Sequence, residues 1–251
     1  MKEHLPISLV IPCFNRIKQT KNLFDSLEQS KYRCQIILID DFSSDNIQQL
    51  VNSYRTLEIK YHRNETNKGP AYSRNMGIKL ADFDFVAFTD NDCIVTDEWL
   101  FEIYNSIKNS KQNIAGVGGK IIAKGNDLIS LYFIYHKILD PWFHNGQFLY
   151  LVTANSIFKK EALLNVDCFD DTMKIAGGED PGLCFKLINE GYRFQYNPDA
   201  IVIHDFQKGL LNFFKTFYRY GFGCSVQSKK YFKTIPFVNN KNFAGLNEEE
   251  E

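Results

Sequence analysis

Four short runs, residues 7–11, 35–39, 57–62 and 85–88, have the length and apolar content of buried strands, and helical spacing of apolar residues separates them. The intervening stripes are Ile17, Thr20, Leu23, Phe24 and Leu27; Ile47, Leu50, Val51 and Tyr54; and Met76, Ile78 and Leu80. Parallel strands need long crossovers, and helices of this size supply them. The alternation therefore predicts an α/β fold with a mainly parallel central sheet and helices on both faces. Ligands bind such a sheet beyond the carboxyl ends of its strands. Asp41 follows the second run, Asn67 and Gly69 the third, and Asp90 and Asp92 the fourth, so three polar clusters converge on one edge.

The fourth run delivers its carboxylates in a telling order, Phe-Val-Ala-Phe-Thr-Asp-Asn-Asp over residues 85–92. In an extended chain, residues i and i+2 point the same way, so Asp90 and Asp92 can face one cation while Asn91 turns aside. Mg²⁺ or Mn²⁺ suits such a seat, because these ions take oxygen ligands and complete their shells with substrate phosphates and water. The competing reading is an Asp-rich turn that merely closes a strand. Convergence with the other polar clusters on one sheet edge favours the site.

The second half is less regular. Residues 97–107 read as an amphipathic helix, 114–123 as a strand broken by Gly116, Gly118 and Gly119, 148–154 as a strand and 159–164 as a short helix. Gly177-Gly178-Glu179-Asp180-Pro181 opens a helix that ends at Gly191, and a last strand over 200–203 places His204 at its end. Beyond Asp205, Leu210, Leu211, Phe213, Phe214, Phe217 and Tyr218 interleave with Lys208, Lys215 and Arg219. That pattern predicts a C-terminal helical extension that closes over the domain, supports a homodimer, or makes peripheral membrane contact through 208–233. The glutamates at 248–251 read as a solvated tail.

Composition excludes more than it selects. A net charge of −1 argues against a nucleic-acid partner. Six cysteines with no Cys-x-x-Cys pair argue against a zinc site and read as free thiols in a reducing compartment. Residues 128–139, the longest apolar-rich stretch, are too few to span a bilayer and are interrupted by His136 and Lys137. With no apolar signal core at the N-terminus, a cytoplasmic protein is expected, with contact at the inner membrane face left open, and the glycosylation pattern Asn64-Glu65-Thr66 reads as coincidence.

Five segments, in this order, give the chain a specific resemblance: Val10-Ile11-Pro12-Cys13-Phe14-Asn15, Ile39-Asp40-Asp41-Phe42-Ser43-Ser44-Asp45, Asn67-Lys68-Gly69-Pro70-Ala71-Tyr72-Ser73-Arg74-Asn75-Met76-Gly77, Thr89-Asp90-Asn91-Asp92 and Gly177-Gly178-Glu179-Asp180. Over roughly residues 7–205 the chain resembles the family 2 glycosyltransferases, which have the Rossmann-like GT-A fold. The resemblance implies a catalytic domain over 1–205, with a nucleotide-sugar half (1–96) and an acceptor half (97–205), followed by the extension at 206–251. It implies an inverting, metal-dependent transfer of a single sugar from a UDP-sugar to a glycan or lipid-linked acceptor. Pro12 and Phe14 would form the base pocket, Asp41 would accept the uracil N3 proton, and Asn67 and Arg74 would help hold the nucleotide. Asp92 would bind Mn²⁺ or Mg²⁺ most directly, Asp90 would reach the ribose or a metal water, and His204 would complete the shell. Asp180 would be the general base, supported by Glu179.

Local readings compete at several of these positions. Asp41 could cap a turn, Arg74 could be a surface charge, Phe14 could belong to the core, His204 could be structural, and Asp180 could be an N-cap ahead of Pro181. Phe42 stands where the family often has Gly, and Pro181-Gly182 where polar residues are commoner. The Gln-x-x-Arg-Trp signature of processive synthases is absent, which favours single transfer. A sugar nucleotidyltransferase would want a glycine-rich loop after the first strand, and residues 12–16 contain no glycine. An inactive nucleotide-sugar-binding module would have lost a metal carboxylate or the Glu-Asp pair, and none is missing.

Overall fold

A computed structural model of the chain describes residues 2–231. The acidic run at 248–251 and the last part of the proposed membrane segment lie outside the described residues. The first half alternates as expected: β1 (Glu3–Cys13), α1 (Ile17–Gln29), β2 (Tyr32–Asp40), α2 (Ile47–Ser53), β3 (Ile59–Arg63), α3 (Pro70–Leu80) and β4 (Phe85–Phe88). Then follow β5 (Cys93–Val95), α4 (Trp99–Lys108), β6 (Ile114–Ala123), α5 (Leu128–Tyr135), β7 (Trp142–His144), β8 (Gln147–Tyr150), β9 (Ser156–Lys159), α6 (Lys160–Asn165), α7 (Glu179–Asn189), β10 (Arg193–His204) and α8 (Leu210–Tyr231).

Eight strands form one sheet in the order β3-β2-β1-β4-β9-β6-β10-β5, and β7 with β8 makes a separate hairpin. β1 pairs in parallel with both β2 and β4, so the chain reverses its direction of travel across the sheet between β1 and β4. That switch point, where ligands bind, is where Phe14 leaves β1 and Asp90 and Asp92 follow β4. Successive residues of each strand enter opposite faces. Leu9, Ile11, Ile36 and Leu38 join α1, α2 and α4 in one core, while Val10, Ile37 and Ile39 join α3, α6 and α7 in the other. The sheet, its two helical layers and the C-terminal helix agree with the expected GT-A architecture.

Three expectations need correction. The strand expected over 148–154 ends at Tyr150; a 3-10 turn at Thr153–Asn155 intervenes, and the central strand is β9. β9 is four residues long and antiparallel to both neighbours, with Ile157 and Phe158 buried in opposite cores. So short a segment carries no periodicity to detect. The glycines of β6 do not interrupt it: a Cβ on Gly116 would lie 2.5 Å from the Phe158 ring, so glycine there lets β9 approach. The last strand begins at Arg193 rather than Ala200, because a register shift between Asn197 and Ile201 accommodates Pro198.

α8 crosses the loop that opens α7. Gly177 and Gly178 have φ of 119° and 109°, in the left-handed region that favours glycine. A Cβ on Gly223 of α8 would lie 1.4 Å from the Gly177 carbonyl oxygen. Gly223→Ala is therefore expected to lift α8 off this loop, at a cost of about 1–3 kcal/mol measured by chemical denaturation. Among the described residues no helix is long and apolar enough to cross a membrane.

Candidate active site

Three loops at the carboxyl edge of the sheet are tied together before any ligand is considered. Asn15 and Arg16, after β1, both adopt left-handed backbone with φ of 58° and 63°. The strained turn is held from the next loop: Asn15 Oδ1 accepts from Ser44 N at 2.8 Å, and Asp45 Oδ2 accepts from Ile17 N at 2.9 Å. Asp45 thus caps α1, across the sheet edge, while α2 is capped by Asn46, whose Oδ1 accepts from Gln49 N at 3.1 Å. Ser43, Ser44 and Asp45 therefore fix the preceding loop and helix. Phe42 sits at φ 66° with Arg63 5.2 Å over its ring, a conformation glycine adopts without strain.

Asp41 is 4% exposed and accepts from Asn64 Nδ2 at 2.7 Å and from the backbone N–H groups of Lys68 and Gly69 at 2.8 Å each. It organises the loop after β3, and Asn67, exposed, donates from Nδ2 to the Asp41 carbonyl at 3.3 Å. Asn64, the asparagine of the glycosylation pattern, is buried in this same contact. Pro12 is half-buried, and Phe14 is 50% exposed at the end of β1 rather than in the core.

Asn91 turns inward, donating to Thr20 Oγ1 at 3.0 Å and to the Asn15 carbonyl at 3.1 Å. Asp92 faces His204, with Oδ1 3.5 Å from Nε2, because β5 pairs antiparallel with the end of β10 and brings Cys93 opposite His204. Asp92, Cys93 and His204 have ligand atoms within 4.8 Å of one another. Burial pushes the Cys93 thiol well above its ordinary range, and Asp92 and His204 offer an oxygen and an imidazole donor beside it. His204 Nδ1 is buried without a hydrogen-bond partner, leaving its contact with Asp92 through Nε2 as the polar interaction that orients the ring. A carboxylate and an imidazole turned toward one point fit a divalent cation such as Mn²⁺.

Asp90 turns the other way. Its Oδ1 accepts from Arg74 Nη2 at 2.9 Å, and Arg74 Nη1 reaches Glu179 Oε1 at 3.1 Å and Asp180 Oδ1 at 4.0 Å. The Arg74 side chain is 4% exposed, so it is an interior charge spanned by three carboxylates and not a surface arginine. These neighbours hold its guanidinium above the ordinary range despite the opposing effect of burial.

The Glu-Asp pair begins α7, but Asp180 is not its cap; Gly178 holds that position. Asp180 instead accepts from Thr153 Oγ1 at 2.8 Å and Thr153 N at 3.0 Å. Burial pushes its carboxyl up to about 7, the Arg74 charge opposing and Glu179 adding to the shift. Glu179 Oε2 accepts from Gly177 N at 2.6 Å, which closes the glycine loop on itself.

Arg16 was not foreseen. It pairs with Asp92 through Nη1, and the Gln207 side chain faces its guanidinium from the other side. Its place directly after Phe14 and Asn15, at the end of the first strand, was the available signal, but a lone arginine in a loop has no periodicity. A cleft of ≈ 540 Å³ lined in part by Arg16, Lys124, Asp205, Gln207 and Lys208 adjoins this end of the site.

The sequence profile of glycosyl transferase family 2 matches residues 8–167, and the chain belongs to that family. It is 29% identical over 247 residues to the pre-mycofactocin glycosyltransferase of Mycobacterium tuberculosis, covering 94% of this chain and 50% of that protein. The chain spans about half the length of the curated relatives it matches. Among solved structures, S. aureus TarS 1-349 in complex with UDP-GlcNAc matches with a TM-score of 0.69 at 20% identity, over 97% of this chain and 69% of that one. The mannosyltransferase PcManGT from Pyrobaculum calidifontis, in complex with GDP-Man and Mn²⁺, matches with a TM-score of 0.70 at 16% identity, over 92% and 65%.

Proposed function

We propose that the chain catalyses inverting, metal-dependent transfer of a single sugar from a UDP-sugar to a glycan or lipid-linked acceptor. The observation that carries this reading is the Arg74 bridge. One buried guanidinium joins Asp90 of the Asp-x-Asp turn to Glu179 and Asp180, so the donor side and the acceptor side form one electrostatic unit. Similarity in fold to proteins solved with UDP-GlcNAc, or with GDP-Man and Mn²⁺, supports a nucleotide-sugar donor.

On this reading Phe14 and Pro12 receive the base, with Asp41 and Asn67 shaping the loop beside it. Asp92 and His204 would hold Mn²⁺, or Mg²⁺ less well given the imidazole donor, and the bound cation would stabilise charge on the departing diphosphate. Asp180, poised near neutrality, takes the proton of the acceptor hydroxyl as it attacks the anomeric carbon from the face opposite the diphosphate. Thr153 orients Asp180 through two hydrogen bonds, and Glu179 fixes Arg74.

The test is release of UDP from a panel of UDP-sugars in the presence of Mn²⁺. Slow hydrolysis of at least one donor, abolished by a chelator and restored by Mn²⁺, is expected. Hydrolysis that survives chelation contradicts the reading.

A further inference from the structure

α8 is apolar on two sides. Phe213, Phe217, Tyr220, Gly223 and Tyr231 turn toward the body of the protein, against α5, the glycine loop and Phe185. On the opposite side, at helical spacing, Leu211, Phe214, Tyr218 and Phe222 form a stripe, exposed by 78%, 64%, 73% and 48%. The neighbouring α5, Leu-Ile-Ser-Leu-Tyr-Phe-Ile-Tyr, carries no charge; it buries Phe133 and leaves Leu128, Leu131, Ile134 and Tyr135 exposed. The two helices touch through Tyr132 and Phe133 against Phe213 and Phe217. Single exposed apolar residues are ordinary, but a run of them on two adjoining helices marks an interaction surface.

Charge identifies what the surface meets. Residues 206–231 contain no Asp or Glu, yet include Lys208, Lys215, Arg219, Lys229 and Lys230, in a chain of net charge −1. Helical spacing puts Lys215 and Arg219 on the flank of the exposed stripe. A second copy of the chain would bring these positive charges against themselves, which disfavours a symmetric contact. An aromatic stripe with a basic flank is the pattern of a helix lying in the headgroup plane of an anionic bilayer. A groove of ≈ 610 Å³, lined in part by Phe214, Lys215, Tyr218 and Arg219, runs from the stripe to Ile175, four residues before Glu179.

We propose that α5 and α8 dock the chain onto an anionic lipid surface. The docking stands on its own; the consequence that a lipid-linked acceptor is met there rests on the proposed transfer.

Sedimentation of the full chain with vesicles of phosphatidylcholine, with and without phosphatidylglycerol, tests it. Binding is expected with phosphatidylglycerol and to be much weaker without it, and to fall as salt rises. Leu211→Ser/Phe214→Ser/Tyr218→Ser and, separately, Lys215→Glu/Arg219→Glu should each lower partitioning by about tenfold or more. UDP affinity and the far-UV circular dichroism of both variants should match the unsubstituted chain. Equal binding to both vesicle types, no binding, or full binding by both variants overturns the proposal. So does a concentration-dependent dimer that the serine variant abolishes, which would assign the surface to a second copy. Vesicle binding by a chain that binds no UDP supports docking and overturns the transferase reading.

Discussion

Asp180→Asn is expected to lower transfer by about 10²–10⁴-fold, the range for loss of a general base, with UDP affinity unchanged. The asparagine keeps the shape that Thr153 grips but cannot take a proton. The active form is the carboxylate, so kcat/KM of the unsubstituted chain should rise with pH through about 7 and level off above it. The linked effect on stability runs the other way. The folded chain keeps the Asp180 proton up to about 7, whereas the unfolded chain releases it near the ordinary 3.8, so stability from this group falls as pH rises between those values. Asp180→Asn should remove that fall as well as the kinetic limb. A pH–rate profile and denaturation at several pH values measure the two together.

Arg74→Met is expected to be the most damaging substitution for the fold. It leaves Asp90, Glu179 and Asp180 close together without the cation that spans them, and breaking a buried ion pair costs about 3–5 kcal/mol. The loss should be largest where the carboxylates are ionised and should shrink as pH falls and protons replace the guanidinium. Removing a charge that lowers the Asp180 pKa also moves any residual activity to higher pH. Arg74→Lys keeps one positive charge but cannot span three carboxylates, so it should fall between the two chains in denaturant midpoint and in turnover. A chain with Arg74→Met that is as stable as the unsubstituted one would show that the bridge is not holding the site together.

Those effects come from contacts that the sequence records unevenly. The alternation of the first four strands and three helices was readable because each apolar run was bounded by turn chemistry, and it placed Asp90 and Asp92 on the carboxyl edge of the sheet; the strand order then puts them at the switch point between β1 and β4. β5 and β9 were not readable, since three- and four-residue strands carry no period; yet β5 brings His204 to Asp92, and β9 completes the sheet. Helix-start chemistry made Asp180 look like a cap, but Gly178 with φ of 109° takes that role and leaves Asp180 to Thr153. Asp41 and Arg74 could be picked out in the sequence as candidates, while the partners that hold them in the fold could not. The three hydrogen bonds to Asp41 come from the loop after β3, and the three carboxylates around Arg74 from the turn after β4 and the first turn of α7, segments removed in sequence from the residues they meet. The same holds for Gly223, whose role depends on how α8 crosses the glycine loop.

On the proposed reading, Asp92 and His204 form a divalent-cation seat that couples to the nucleotide. Calorimetric titration of UDP, with and without Mn²⁺, into the chain and into Asp92→Ala tests it most directly. Mn²⁺ is expected to tighten UDP binding to the unsubstituted chain, and Asp92→Ala to abolish this gain while retaining the metal-free affinity. UDP binding that is indifferent to Mn²⁺, or a gain that survives Asp92→Ala, would contradict it.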